Sequence, residues 1–217
     1  MGIPVWELRG ADSGMSPEGG AAAGDDIATL GWEALEARVA ACTRCELHRT
    51  RTRTVFGVGN READWLIVGE APGADEDRQG EPFVGRAGQL LNEMLLAIGL
   101  KREAVYIANI LKCRPPRNRD PRPEEVASCE PYLKRQVALL QPVIILAVGR
   151  VAAQNLLKSD APIGAMRGRC YRYGEAGIPV VVTYHPAYLL RSPREKRKVW
   201  EDLKFARRVY VEARGAA

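Results

Sequence analysis

Four consecutive apolar residues, Trp65, Leu66, Ile67 and Val68, run into Gly69 and then into a loop crowded with glycine and carboxylate that lasts to Gly88. A run this short cannot make a helix and shows no alternation, so it reads as a strand buried on both faces that delivers polar groups at its C-terminal end. Such a strand needs parallel neighbours and helices covering both sides of the sheet. In an open parallel sheet, ligands bind beyond the C-terminal strand ends. The stretch therefore sets the expected class, α/β, and the expected position of the site.

The remaining chain supplies matching elements. Trp32, Leu35, Val39 and Cys42 recur at spacings of three and four and form one apolar stripe of a helix; Leu90, Leu91, Met94, Leu95 and Ile98 form another, stopped by Gly99. Residues 105–110 make a second strand with Asn109 near its end. A loop rich in proline and arginine, residues 114–123, then breaks the pattern. Pro123-Glu124-Glu125 suits a first helical turn, followed by the stripe Val126, Cys129, Leu133, Val137 and Leu140. Residues 143–148 are a continuous apolar run ended by Gly149, with a helix expected over 151–157. Residues 171–173 and 179–183 resemble strands around a glycine-bearing turn, the second leading into Tyr184-His185-Pro186, and a charged helix is expected over 193–211. Alternating strands and helices predict a three-layer α/β/α sandwich around a central, mostly parallel sheet of about four strands. Glu70, Asn109 and His185 all fall at the C-terminal ends of predicted strands, which is the reason to group them.

At 217 residues and 46% hydrophobic, the chain can bury one full core. Residues 1–25 hold little that packs and read as a flexible tail, leaving 26–217 as the domain. Lys and Arg gather in residues 114–122 and 191–198 of a chain with net charge +5, which points to a polyanionic partner, although solvated faces give the same composition. No stretch approaches the roughly 20 apolar residues of a membrane span, and the N-terminus lacks a secretory pattern. A cytoplasmic protein without a membrane partner is expected.

In a reducing compartment the five cysteines read as ligands rather than disulfides. Cys42 and Cys45 are separated by two residues, and Cys113 and Cys129 by fifteen, so four thiolates can converge on one site holding zinc or an iron-sulfur cluster. Cys42 and Cys129 also complete apolar stripes, as free cysteine does; Cys45 and Cys113 do not, which favours ligation. Cys170, alone in a predicted strand, is expected in the core. The glycines at 69, 73, 80, 85 and 88 match neither a Walker loop nor a dinucleotide fingerprint, which disfavours a nucleotide-binding enzyme of the doubly wound class. Taken singly, Phe83 suits packing or stacking on a flat ligand, and Asn109 and His185 suit structural hydrogen bonding.

Together these pieces resemble the family 4 uracil-DNA glycosylases, the iron-sulfur branch of the uracil-DNA glycosylase superfamily. The resemblance rests on Gly69-Glu70-Ala71-Pro72-Gly73, on Glu81-Pro82-Phe83-Val84-Gly85-Arg86-Ala87-Gly88, and on Asn109-Ile110-Leu111-Lys112-Cys113-Arg114-Pro115-Pro116. Cys129 and His185-Pro186-Ala187-Tyr188-Leu189-Leu190-Arg191 complete it. It spans about residues 32–211. It implies hydrolysis of the bond between uracil and deoxyribose in single- or double-stranded DNA, releasing free uracil and leaving an abasic site for base excision repair. Cys42, Cys45, Cys113 and Cys129 would then hold a structural 4Fe-4S cluster. The substrate-binding set would be Gly69, Ala71, Gly73, Glu76, Phe83, Asn109 and His185, with Glu70 and His185 catalytic. Arg114, Leu189, Leu190 and Arg191 would contact DNA, with Arg117, Arg119, Arg194 and Lys196 as further phosphate contacts, and a monomer suits base flipping.

Two departures from related families carry expectations of their own. Family 1 enzymes have an aspartate at the position of Ala71 and a thymine-blocking tyrosine at that of Gly73. Water activation here would therefore fall to Glu70 or the backbone, and thymine exclusion to Glu76. A cross-linking branch traps deoxyribose through a loop histidine, but residues 112–131 contain none, so turnover is expected. The alternative reading is a non-catalytic iron-sulfur DNA-binding module.

Overall fold

The structure, a computed structural model, describes residues 26–215; the expected tail over residues 1–25 lies outside them. In chain order the strands are β1 (Val58–Gly59), β2 (Trp65–Gly69), β3 (Tyr106–Asn109), β4 (Ile144–Val148), β5 (Cys170–Tyr173) and β6 (Ile178–Thr183). The helices are α1 (Trp32–Ala40), α2 (Ala74–Gln79), α3 (Arg86–Leu96), α4 (Pro123–Leu140), α5 (Arg150–Leu157), α6 (Ile163–Met166), α7 (Pro186–Arg191) and α8 (Lys196–Gly215).

One sheet runs in the order β1-β3-β2-β4-β6-β5. Its four inner strands are parallel, and β1 and β5 are antiparallel edges. The expected sheet of about four strands thus corresponds to the parallel core, and the edges raise the count to six among the described residues. Two-residue β1 has no side-chain period to read.

Alternation across the pleat builds two cores. Leu66, Val68, Ala108, Ile145, Ala147, Val180 and Val182 pack on one face with Leu35 and Val39 of α1 and Leu133 and Val137 of α4. Trp65, Ile67, Ile107, Leu146, Val148 and Val181 pack on the other with Leu91 and Leu95 of α3 and Val199, Leu203 and Ala206 of α8. This is the three-layer arrangement that doubly buried strands require. α1 ends at Ala40, so Cys42 follows the helix instead of completing its stripe. Cys170 is exposed on the β5 edge, which corrects its expected place in the core. Its burial depended on strand order, and β5 has a neighbour on one side only.

Candidate active site

β2 and β3 pair in parallel with Gly69 opposite Asn109. At Gly69 only a hydrogen fits: a Cβ would stand 2.4 Å from Asn109 Oδ1 and 2.7 Å from Cε2 and Cζ of Phe83. The missing side chain thus lets a carboxamide and a phenyl ring both close on the backbone at this strand end. Asn109 is 2% exposed, and its Oδ1 has no hydrogen-bond partner among the described residues. A buried acceptor left unpaired costs about 1–3 kcal/mol, so its retention calls for a ligand that donates to it.

The strand end carrying Asn109 is fixed from behind by a polar network that sequence reasoning missed. Buried Lys112 donates from Nζ to the Asn109 carbonyl at 3.0 Å and to Gln136 Oε1 at 2.6 Å. Gln136 Nε2 in turn donates to the Phe56 carbonyl at 3.0 Å and lies 3.2 Å from the Tyr106 hydroxyl. A lysine just after an apolar strand was the one available signal.

His185 caps α7. Its Nδ1 accepts from the Ala187 amide at 3.1 Å, so the neutral ring carries its proton on Nε2. Burial lowers its pKa to about 4, with Arg191 acting in the same direction and Glu76 opposing, so the ring is neutral at physiological pH. The ring lies 5.5 Å from that of Phe83 at 28°. Gly149, at φ 101°, backs it closely: a Cβ there would stand 3.0 Å from the His185 Cβ. Gly149 was read only as a strand terminator.

Glu76 Oε1 accepts from the Val84 and Gly85 amides at 3.0 and 3.2 Å. Its Oε2 would stand 2.6 Å from a Cβ at Gly73. Glu70, one residue beyond Gly69, is half-buried; burial first and Asp120 second raise its pKa to about 7, against Arg150. Arg150 and Asp120 pair at 2.5 Å. Ala71 is half-buried against the α1 and α4 core.

The DNA-facing set divides. Leu190 is 38% exposed and Arg191 is exposed, but Leu189 is 1% exposed and packed in the core with α3 and α8. That corrects its expected role in contacting DNA: it cannot leave the core without opening a cavity. Arg119 is committed to Glu125 through two hydrogen bonds of 2.9 and 2.5 Å, so it fastens the start of α4 instead of standing free for phosphate. Arg114 is half-buried and donates to Asn118 at 2.7 Å, whereas Arg117, Arg194 and Lys196 are exposed.

Cys42, Cys45, Cys113 and Cys129 line one small cavity with Arg51, Lys112, Ser128 and Tyr132. Arg51 Nη1 donates to Cys113 Sγ at 3.1 Å and the Lys112 amide to Cys129 Sγ at 3.3 Å. Among the described residues, no three His, Cys, Asp or Glu side chains close on a single metal-ion position, and no helix is long and apolar enough to cross a membrane.

Comparison with known proteins places the chain in a family. The family described as "Uracil DNA glycosylase superfamily" matches residues 56–204. A "Type-4 uracil-DNA glycosylase" of Archaeoglobus fulgidus is 49% identical over 173 residues, covering 76% of this chain and 86% of the relative. That of Thermotoga maritima is 44% identical over 178 residues, covering 81% and 92%. A "Type-5 uracil-DNA glycosylase" of Thermus thermophilus is 36% identical over 120 residues, covering 48% and 54%.

Proposed function

The chain belongs to the uracil DNA glycosylase superfamily, and from that membership we propose that it removes uracil from DNA by hydrolysing the N-glycosidic bond, working as a monomer. The observation that carries this reading is the unpaired Asn109 Oδ1 beside Gly69 and Phe83. Uracil N3–H satisfies that acceptor while the Asn109 amide NH₂ donates to O4. Cytosine offers the reverse pattern at both atoms and leaves the buried groups unpaired, which is the strong form of discrimination.

A uracil inside a duplex is out of reach, so the nucleotide is flipped at a cost of about a few kcal/mol. Leu190 fills the vacated stack, and Arg191, Arg114, Arg117, Arg194 and Lys196 hold phosphates, so binding weakens as salt rises. Phe83 supplies the flat face on which uracil rests. As the bond lengthens, negative charge gathers on uracil O2, where the Nε2–H of neutral His185 stabilises it. Glu70, ionised above about pH 7, holds water and offsets the positive charge on the sugar. Glu76 occupies the space over Gly73 and excludes a 5-methyl base.

Cys42, Cys45, Cys113 and Cys129 would hold a 4Fe-4S cluster. Four sulfurs around a common cavity, with N–H donors from Arg51 and Lys112 aimed at two of them, suit thiolate ligands of such a cluster. Such a group would act as a cross-link, tying the segment after α1 to α4 and to the loop that bears Asp120.

The test is incubation with a uracil-containing oligonucleotide followed by alkaline cleavage at abasic sites. Cleavage by wild type, and its loss in Asn109→Ala and His185→Ala, is expected. DNA binding without any base release by wild type would instead leave a non-catalytic DNA-binding module.

A further inference from the structure

The turn that presents the Phe83 ring is gripped from two sides by side chains outside it. Glu76 holds the amides of Val84 and Gly85. Arg102, in the short 3-10 turn Arg102–Ala104 before β3, holds the carbonyls: Nη2 donates to Pro82 O at 2.6 Å and Nη1 to Phe83 O at 3.2 Å. Nη1 also reaches Asn92 Oδ1 on α3 at 3.2 Å. Between the two grips Phe83 adopts φ 54°, a left-handed conformation that a bulky L-residue does not keep unaided. Its carbonyl lies so close to α3 that a Cβ at Gly88 would stand 1.7 Å away.

Such a conformation persists only where the surroundings over-determine it. Relaxation of Phe83 to negative φ would rotate its carbonyl away from Arg102 and Gly88 and swing its ring off Gly69 and His185. The acceptors lie on consecutive carbonyls, which a planar guanidinium fork holds in one fixed geometry and an ammonium on a flexible stem holds less rigidly.

We propose that Arg102 is a positioning residue for uracil excision: by bridging the Pro82 and Phe83 carbonyls it locks the Phe83 backbone so that the ring faces the base slot opposite His185. The inference rests on the uracil-excision reading. Arg102 itself touches neither the base nor the sugar; it acts through Phe83.

The test compares wild type with Arg102→Met, Arg102→Lys, Phe83→Ala and the double variant Arg102→Met/Phe83→Ala. Single-turnover uracil release is measured together with hydrogen exchange of the peptide containing Val84 and Gly85. Arg102→Met is expected to slow release on the order of 10²-fold, the effect of misplacing a group by about 1 Å, while Arg102→Lys recovers part of the rate. The double variant should be no slower than Phe83→Ala alone, and exchange at Val84 and Gly85 should quicken while β3 stays protected. A purely structural role would lower stability without this non-additivity. Wild-type release by Arg102→Met, or a penalty that adds in full to that of Phe83→Ala, overturns the proposal. If Arg102→Met does not fold, Arg102→Lys carries the same cycle. Absence of uracil release by wild type removes the functional reading, and the exchange comparison then decides the clamp by itself.

Discussion

Replacing Glu70 by glutamine separates what its charge costs the fold from what that charge contributes to the reaction. Burial, reinforced by Asp120, raises the Glu70 pKa from an ordinary 4.5 to about 7. Between those values the folded protein retains a proton that the unfolded chain has released. The carboxyl therefore favours the folded state at low pH, and this contribution is lost as pH rises from about 4.5 to about 7. At ~1.4 kcal/mol per pH unit the gap corresponds to about 3.5 kcal/mol. Solvent on the open side of the half-buried side chain reduces this to roughly 1.5 kcal/mol. Glutamine pays no ionisation cost, so Glu70→Gln should melt about 3–6 °C above wild type at pH 8, given ~2–4 °C per kcal/mol for a chain of this size. The two proteins should converge below about pH 4.5, where the wild-type carboxyl is protonated in both the folded and the unfolded state. Single-turnover uracil release by wild type should rise through about pH 7, because neutral His185, with its pKa near 4, does not titrate there. In the variant that limb should vanish and the rate fall about 10²-fold or more. Melting scans at fixed ionic strength and release rates across pH 5–8 check both halves. A melting difference that does not change with pH, or a pH 7 limb that survives in Glu70→Gln, would refute the reasoning.

Three further outcomes follow from the same geometry. Gly69→Ala puts a methyl 2.4 Å from Asn109 Oδ1 and 2.7 Å from the Phe83 ring, so uracil release should drop on the order of 10²-fold while overpacking costs about 1–3 kcal/mol of stability. Leu189→Ala should lose about 2–5 kcal/mol in a denaturant titration, whereas Leu190→Ala should stay within about 0.5 kcal/mol of wild type and slow release from duplex more than from single-stranded DNA. Cys113→Ser should lose visible iron-sulfur absorbance and lower the melting temperature, and Cys170→Ser, altered on an exposed edge, should change neither.

Features declared by unbroken runs and their terminators were legible in the sequence. Residues 65–68, 105–110 and 143–148 read as buried strands, and Glu70, Asn109 and His185 stood out because each falls at the end of a run, 65–68, 105–110 and 179–183. Features set by relations between distant elements were not. Lys112 and Gln136 satisfy each other across 24 positions, and no periodicity predicts that a lysine in a loop is buried by a partner on a helix. The six-residue α2 read as an acidic loop because its residues serve the turn beyond it: Glu76 reaches Val84 and Gly85 instead of packing a stripe. Leu189 and Leu190 are adjacent in a motif, yet neighbours on a helix point about 100° apart. Only the docking of α7 decides which of them faces the core.

The pairing of Gly69 with Asn109 has a consequence for changing what the protein accepts. These two positions are held apart by backbone hydrogen bonding at about 4.8 Å, a ruler that side-chain replacement does not lengthen. Variants selected for bulkier or differently decorated bases should therefore accumulate changes in the segments around that ruler that bear Glu76, Phe83 and His185, and leave its two end marks alone.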